Sequence, residues 1–424
     1  MFLDELEARG LFQDCTDRAG LGDLLRTSAP ISVYAGYDPT SSSLHVGNLV
    51  PTIMLKRMQL AGHRPIIVVG GATGMIGDPS GRSDERNLLD DATLQTNVDG
   101  IHAQLARLLE FDAASPTGAM IVNNAEWTRG ITYLEFLRDV GKFLTVNYMT
   151  AKDSVKSRLE GGDGISYTEF SYMLLQAYDF VQLSRAHDCR LQVGGSDQYG
   201  NITAGTELSR KMGGRQLFGL VAPLMLDSAG HKMGKTSTGE RIWLDAARTP
   251  PFAFYQYWLN RSDEEAPRFL RMFSLEPLAR IEEQLREHDA DRSKRVAQRE
   301  LARAMTAWVH GGGSIAAIEG SANEMFGGDV TKLSDQQLAA MVDLTTDIPR
   351  ADLEAGIALV DLFVRVGLET SKGKVRSLIE QGGAYLNDVV VKDVAKKLTL
   401  ADLMTETRLV LRKGKKSQRI VHVV

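Results

Sequence analysis

The chain has 424 residues, 43% apolar and 24% charged, a soluble globular composition that excludes a disordered or fibrous protein and, at roughly 150 residues per domain, predicts about three domains. Lys and Arg total 49 against 54 Asp and Glu, a net charge of -5, so any nucleic-acid surface must be local. Two cysteines, Cys15 and Cys189, are too few for a disulfide framework, the acidic N-terminus lacks the regions of a signal peptide, and no apolar run approaches a membrane span. A cytoplasmic protein with no membrane partner is expected.

From residue 30 to about 226, short apolar β-rich runs (ISVYAGYD, PIIVVGG, AMIVNNAEW, LQVGG, LVAPLMLD) alternate with longer helical stretches, which predicts an α/β, Rossmann-like parallel sheet wrapped by helices. In such sheets ligands sit beyond the carboxyl ends of the strands. The residues to watch are therefore Tyr34 to Asp38, Gly70 to Asp78, Asn123 to Glu126 and Gly194 to Gln198.

The first strand end leads through Thr40 and three serines into Leu44-His-Val-Gly-Asn-Leu49 and an apolar helix that stops before Gly62. A serine among Ser41 to Ser43 is expected to cap that helix, putting His45 in the first turn, where free N–H groups and the dipole attract phosphate. Gly47 lets a nucleotide approach the backbone. The second strand runs into Gly70-Gly-Ala-Thr-Gly-Met-Ile-Gly-Asp78, which is not a dinucleotide fingerprint because Ala72 stands at its second glycine. It reads instead as a turn delivering Asp78, with Arg82 and Arg86 as phosphate contacts.

Ser166-Tyr-Thr-Glu169 reads as a capping box opening a long helix, on which Tyr172, Gln176 and Asp179 share one face at i, i+4 and i+7. Either a buried hydrogen-bond network or a pocket for a small polar-tipped ligand accounts for that stripe. Farther on, Gly230-His-Lys-Met-Gly-Lys-Thr-Ser237 contains a G-K-T but fails the P-loop pattern, since the first glycine would fall at Ala229. What remains is a glycine-rich loop whose Lys232 and Lys235 can meet developing phosphate charge.

After Pro250 and Pro251 the pattern becomes amphipathic helices, then a polar stretch, then a final unit with short strands. The expected domains are 1–248 catalytic, 249–343 α-helical, 344–356 linker, and 357–424 a small α+β unit. In that last unit Lys372, Lys374 and Arg376, with Arg412, Lys413, Lys415 and Lys416, form a basic run expected to meet RNA phosphates.

Together HVGN, KMGKT, Tyr34, GDPSGR, EFSYMLLQAYDF and QVGGSDQYGNI resemble the class I aminoacyl-tRNA synthetases over nearly the whole chain, and within them the bacterial tyrosyl-tRNA synthetases. The last unit resembles their alpha-L RNA-binding motif. The resemblance implies a homodimer that activates L-tyrosine with ATP, accompanied by Mg²⁺, and charges tRNA(Tyr). It implies Tyr34 and Asp179 at the phenolic hydroxyl, Asp78, Tyr172 and Gln176 at the α-amino group, and Gln192 and Gln198 elsewhere in the tyrosine site. Gly36, Asp38, His45, Gly47, Asn48, Asp197 and Lys235 would contact ATP, and Thr40, His45, Lys232, Lys235, Thr236, Arg82 and Arg86 would stabilise the reacting phosphates. Asn48 and Gly234 stand where the family motifs have histidine and serine. Rival readings are a tryptophanyl-tRNA synthetase, disfavoured by Tyr34 and Asp179, and a non-catalytic RNA-binding scaffold or a P-loop NTPase.

Overall fold

The computed structural model describes the chain except residues 1, 29, 81–89, 162–163, 227–229, 231–232, 235–240, 342–343 and 415–416. It falls into two compact units, one of Met1–Asp245 with Arg261–Ala304 and the other of Ala246–Asn260 with Met305–Val424. The helical stretch expected as one domain is thus divided between them.

The first unit is built on six strands: β1 (Asp14–Cys15), β2 (Ser32–Tyr37), β3 (Arg64–Val69), β4 (Met120–Asn123), β5 (Cys189–Gly195) and β6 (Phe218–Ala222), in the order β1-β6-β5-β2-β3-β4. All neighbours are parallel except the short edge strand β1, which runs antiparallel to β6. The five predicted strands are present. Strand β1 has no sequence signal, because two residues are too few to show alternation. Continuous apolar runs such as Ile66 to Val69, all buried, suit a sheet covered on both faces.

Sheet order opens a crevice. β2 pairs with β5 only as far as Tyr34 opposite Gln192, yet β2 continues to Tyr37 alongside β3 and β5 to Gly195 alongside β6. The strand order reverses between β5 and β2, so the gap lies at the topological switch point where ligands of open α/β sheets bind.

In the second unit, β7 (Thr345–Ile348), β9 (Ala384–Leu386), β10 (Val389–Val390), β12 (Arg408–Lys413) and β13 (Ser417–Val423) form a sheet in the order β10-β9-β12-β13-β7, while β8 (Ile357–Ala358) pairs with β11 (Lys397–Leu398). Helices Leu359–Arg365 and Lys372–Glu380 pack with it around Phe363, Val375, Leu409 and Val421. The segment 344–356 is not an open linker. Thr345 to Ile348 pair in register with Ile420 to Val423, and helix Arg350–Glu354 follows. Its proline and polar residues suggested a linker, and only pairing with the distant C-terminal strand makes it structured. Among the described residues no helix is long and apolar enough to cross a membrane.

Candidate active site

A cavity of about 340 Å³ fills the crevice. Its walls include Tyr34 and Gly36 of β2 with Asp38 and Thr40 just after it, Gln192 of β5 with Asp197 and Gln198 just after it, Asp78 after β3, and Tyr172, Gln176 and Asp179 from the helix Tyr167–His187. His45, Gly47 and Asn48 close the outer side. Every expected tyrosine-site residue therefore lies on one cavity. Of the expected phosphate-handling residues, Arg82, Arg86, Lys232, Lys235 and Thr236 lie outside the described residues.

Tyr34 and Gln192 are buried, and among the described residues neither Tyr34 Oη nor Gln192 Oε1 has a hydrogen-bond partner. Burial, with the nearby Asp179 charge adding to it, holds the Tyr34 hydroxyl well above its ordinary pKa. Asp179 itself is fixed from two sides: Asn124 Nδ2 donates to Oδ2 at 2.9 Å and Trp127 Nε1 to Oδ1 at 2.8 Å. Desolvation nevertheless dominates, raising its pKa from 3.8 to about 7.

Asn124 is completely buried and spends its whole amide, accepting from Ala72 N at 2.8 Å and donating to Thr73 Oγ1 at 3.0 Å as well as to Asp179. Asn124 and Trp127 were not among the expected site residues. The strand end after β4 was flagged, but no motif there separates Asn124 from Asn123. The stripe on the long helix is both things it could have been, a hydrogen-bond network and a cavity wall. Tyr172 Oη donates to Asp38 Oδ2 at 3.2 Å, and Gln176 Nε2 to Gln198 Oε1 at 3.3 Å. Asp78 Oδ2 accepts from Gln198 Nε2 at 2.7 Å, and its Oδ1 accepts from Ser80 N at 2.9 Å. The Ser166 hydroxyl caps this helix as predicted, while the carboxylate of Glu169 is gripped by Arg158 at 3.1 and 3.0 Å.

The outer turn differs from expectation. No serine caps it; His45 is itself the N-cap of a short turn, Val46–Asn48, that leads into helix Leu49–Leu60. Its Nδ1 accepts from Gly47 N at 3.0 Å, so a neutral ring carries its proton on Nε2. Gly47 is required because an added Cβ would sit 2.7 Å from His45 Cε1. Asn48 Oδ1 accepts from His45 N, closing a reciprocal cap, which explains how an amide serves where the family motif has histidine.

The distant lysine loop is stitched to this turn by backbone. Val46 N donates to Ile242 O at 3.1 Å, Leu244 N to Leu44 O at 2.8 Å, and Ile242 N to Gly234 O at 3.0 Å. Gly234 has φ +119°, and a Cβ there would lie 3.4 Å from Val46 Cγ2 and 3.9 Å from His45 Nδ1. A loop residue thus touches the histidine turn, in a conformation that favours glycine over the motif's serine.

A family model described as tRNA synthetases class I (W and Y) matches residues 26–327, and one described as the Tyrosine--tRNA ligase SYY-like C-terminal domain matches 340–421. The tyrosine--tRNA ligase of Rhodopirellula baltica is 47% identical over 99% of this chain and 96% of its own length, and that of Roseiflexus castenholzii is 47% identical over 100% and 99%. The chain belongs to the class I tyrosine--tRNA ligase family. Among solved structures it is similar to a C-terminally truncated mitochondrial tyrosyl-tRNA synthetase of Aspergillus nidulans, with a TM-score of 0.69 at 31% identity over 77% of this chain and 94% of that one. A tryptophanyl-tRNA synthetase of Encephalitozoon cuniculi bound to tryptophan also shares the fold, at a TM-score of 0.54 and 14% identity over 80% of this chain and 90% of that one. Fold alone does not separate the two kinds of synthetase; sequence identity does.

Outside the cavity, the basic residues of the second unit divide. Lys372, Lys374 and Arg376 are exposed on their helix, although Lys372 Nζ meets Asp361 at 2.6 Å. Arg412, expected at RNA, has its guanidinium 3.9 Å over Tyr385, pairs with Asp388 at 2.9 Å and donates to Gly414 O. Lys413 pairs with Glu369 at 2.7 Å, and Lys415 and Lys416 lie outside the described residues.

Proposed function

We propose that the cavity holds L-tyrosine with its phenol toward Tyr34 and Asp179, and that the His45 turn with the loop at Gly234 holds the triphosphate of ATP. The observation that supports this most is the pair of buried, unpartnered polar atoms, Tyr34 Oη and Gln192 Oε1, in a cavity walled by Asp179. An unmet buried polar group costs about 1–3 kcal/mol, which a ligand hydroxyl relieves and a phenyl ring does not. Such a site rejects phenylalanine, and tyrosyl-tRNA synthetases are the established example of that asymmetry. Asp78, Tyr172 and Gln176 take the α-amino side, Gln198 lines the tyrosine site beside them, and Asp38, Gly36, Asn48 and Asp197 take the nucleotide.

In the reaction a carboxylate oxygen of tyrosine attacks the α-phosphorus, and the bond to the β-bridging oxygen breaks. Pyrophosphate leaves, and tyrosyl-adenylate remains. A ribose hydroxyl at the 3′ end of tRNA(Tyr) then attacks the acyl carbon and releases AMP. No protein nucleophile is needed, so the residues act by orienting and by meeting charge. His45 and Thr40 meet the β- and γ-phosphates, joined from sequence by Lys232, Lys235, Thr236, Arg82 and Arg86. Mg²⁺ enters as part of the substrate, on the triphosphate.

Lys372, Lys374 and Arg376 supply phosphate contacts for tRNA in the same proposal. A second copy of the chain covers the apolar surface of helix Tyr133–Asp139, where Tyr133 and Leu134 are 63% and 76% exposed beside an equally open Tyr167. Amino-acid-dependent exchange of labelled pyrophosphate into ATP, run over a panel of amino acids, tests the central reading. Exchange with tyrosine alone is expected; exchange with tryptophan and not tyrosine would overturn it.

A further inference from the structure

The segment from Asp38 to Leu44 joins β2 to the His45 turn without helix or strand, and it carries Thr40 on the cavity wall. Backbone groups in such a stretch need partners that no ladder supplies. Helix Asp91–Leu108 provides them along one face. The buried Asn97 donates from Nδ2 to Pro39 O at 2.8 Å, just before Thr40. Farther along the helix, Gln104 Oε1 accepts from Leu44 N at 2.8 Å, just before His45, while its Nε2 donates to Ser43 Oγ at 3.1 Å. Between the two, Gly100 meets the segment with bare backbone: an added Cβ would lie 2.1 Å from Ser42 O. These positions stand at i, i+3 and i+7, so the three contacts share one helix face. Glycine inside a helix is ordinarily unfavourable, and here it lets the helix approach the segment closely.

We propose that Asn97, Gly100 and Gln104 are positioning residues: from outside the cavity lining they set the segment Pro39 to Leu44, and through it Thr40 and His45, where those two side chains meet the β- and γ-phosphates of ATP. The inference rests on the triphosphate reading proposed above. Activation uses no protein nucleophile, so its rate depends on how accurately the charge-meeting groups are held, and an error of about 1 Å can cost about 100-fold. Asp78 and Asp179 are held by other residues, Gln198, Asn124 and Trp127 among them. Loosening the segment therefore slows activation and leaves tyrosine binding intact.

Full-length Asn97→Leu and Gln104→Leu chains, which keep much of the side-chain volume and lose the hydrogen bonds, are compared with the parent by the Kd of tyrosine and the kcat of tyrosine-dependent pyrophosphate exchange. Each is expected to lower kcat by up to about 100-fold with the Kd of tyrosine unchanged. The deciding readout is coupling. Asn97→Leu is made again in a Thr40→Ala chain, and Gln104→Leu in a His45→Ala chain, where the group to be positioned is gone. There each should lower kcat by far less than in the parent, because residues that act as a unit are not additive. A parent-like kcat in either single variant, the same fold-loss in both backgrounds, or loss of tyrosine binding along with kcat overturns the proposal. Failure of the triphosphate reading itself shows up separately, as a parent-like kcat in the Thr40→Ala and His45→Ala chains.

Discussion

Asn48 Oδ1 accepts the backbone N–H of His45 at 3.0 Å, so a residue that departs from the family's motif helps fix the His45 turn. The same amide retains its Nδ2 for a ligand. Asn48→Ala is expected to lose about 1 kcal/mol of stability, as for other lost caps, and to lower the rate of pyrophosphate exchange. Asn48→Asp keeps the acceptor but brings a negative charge to the phosphate site. It should therefore unfold at higher urea than Asn48→Ala yet show the higher KM for ATP. Parallel ranking of the two variants in both assays would separate Asn48 from either role.

Burial pushes the Asp179 carboxyl up from its ordinary 3.8 to about 7. Between those values the folded state binds more protons than the unfolded one, so this group makes the protein less stable as pH rises from about 4 to about 7. Tyrosine binding has the opposite sign. A phenol hydroxyl donates to the carboxylate form, so affinity for tyrosine should fall as pH drops below about 7. Equilibrium dialysis of tyrosine between pH 6 and 8 checks this, and a flat profile would rule out the ionised acceptor.

Trp127 Nε1 is one of two donors that hold Asp179 toward its charged form. Trp127→Phe removes that donor while keeping an aromatic ring in place, so the pKa of Asp179 should climb. The break in the tyrosine-binding profile is expected to move to higher pH, with the KM for ATP unchanged. An unmoved break would assign Trp127 to packing alone.

Arg158 and Glu169 form a buried pair, 9% and 3% exposed, at the start of the helix that carries Tyr172, Gln176 and Asp179. Arg158→Ala strands the carboxylate and should cost about 3–5 kcal/mol, whereas replacing both by apolar residues of similar size should recover most of it. Denaturant melts of the single and double variants measure the difference. Equal losses would mean the pair contributes nothing beyond packing.

Much of the first unit was legible in order. Runs such as PIIVVGG had to be interior strands, and their alternation with helices pointed to a parallel sheet whose strand ends carry the site. Spacing put Tyr172, Gln176 and Asp179 on one face because helical periodicity is local. The capping serine and the 344–356 linker were misread for one reason. Each depends on a partner that is remote or on a side chain's own geometry: His45 folds back on Gly47, and β7 pairs with the C-terminal strand.

By itself the sequence determined the family, its activation chemistry and the set of polar residues that line one cavity, since these reside in residue type and short-range spacing. Tertiary structure alone decided how they act. It showed that β2 and β5 part after Tyr34 and Gln192 to make the cavity, that Asn124 and Trp127 orient Asp179, and that Gly234 reaches the His45 turn. Hydrogen bonds and burial between residues more than fifty positions apart set those relationships, and no local pattern encodes them.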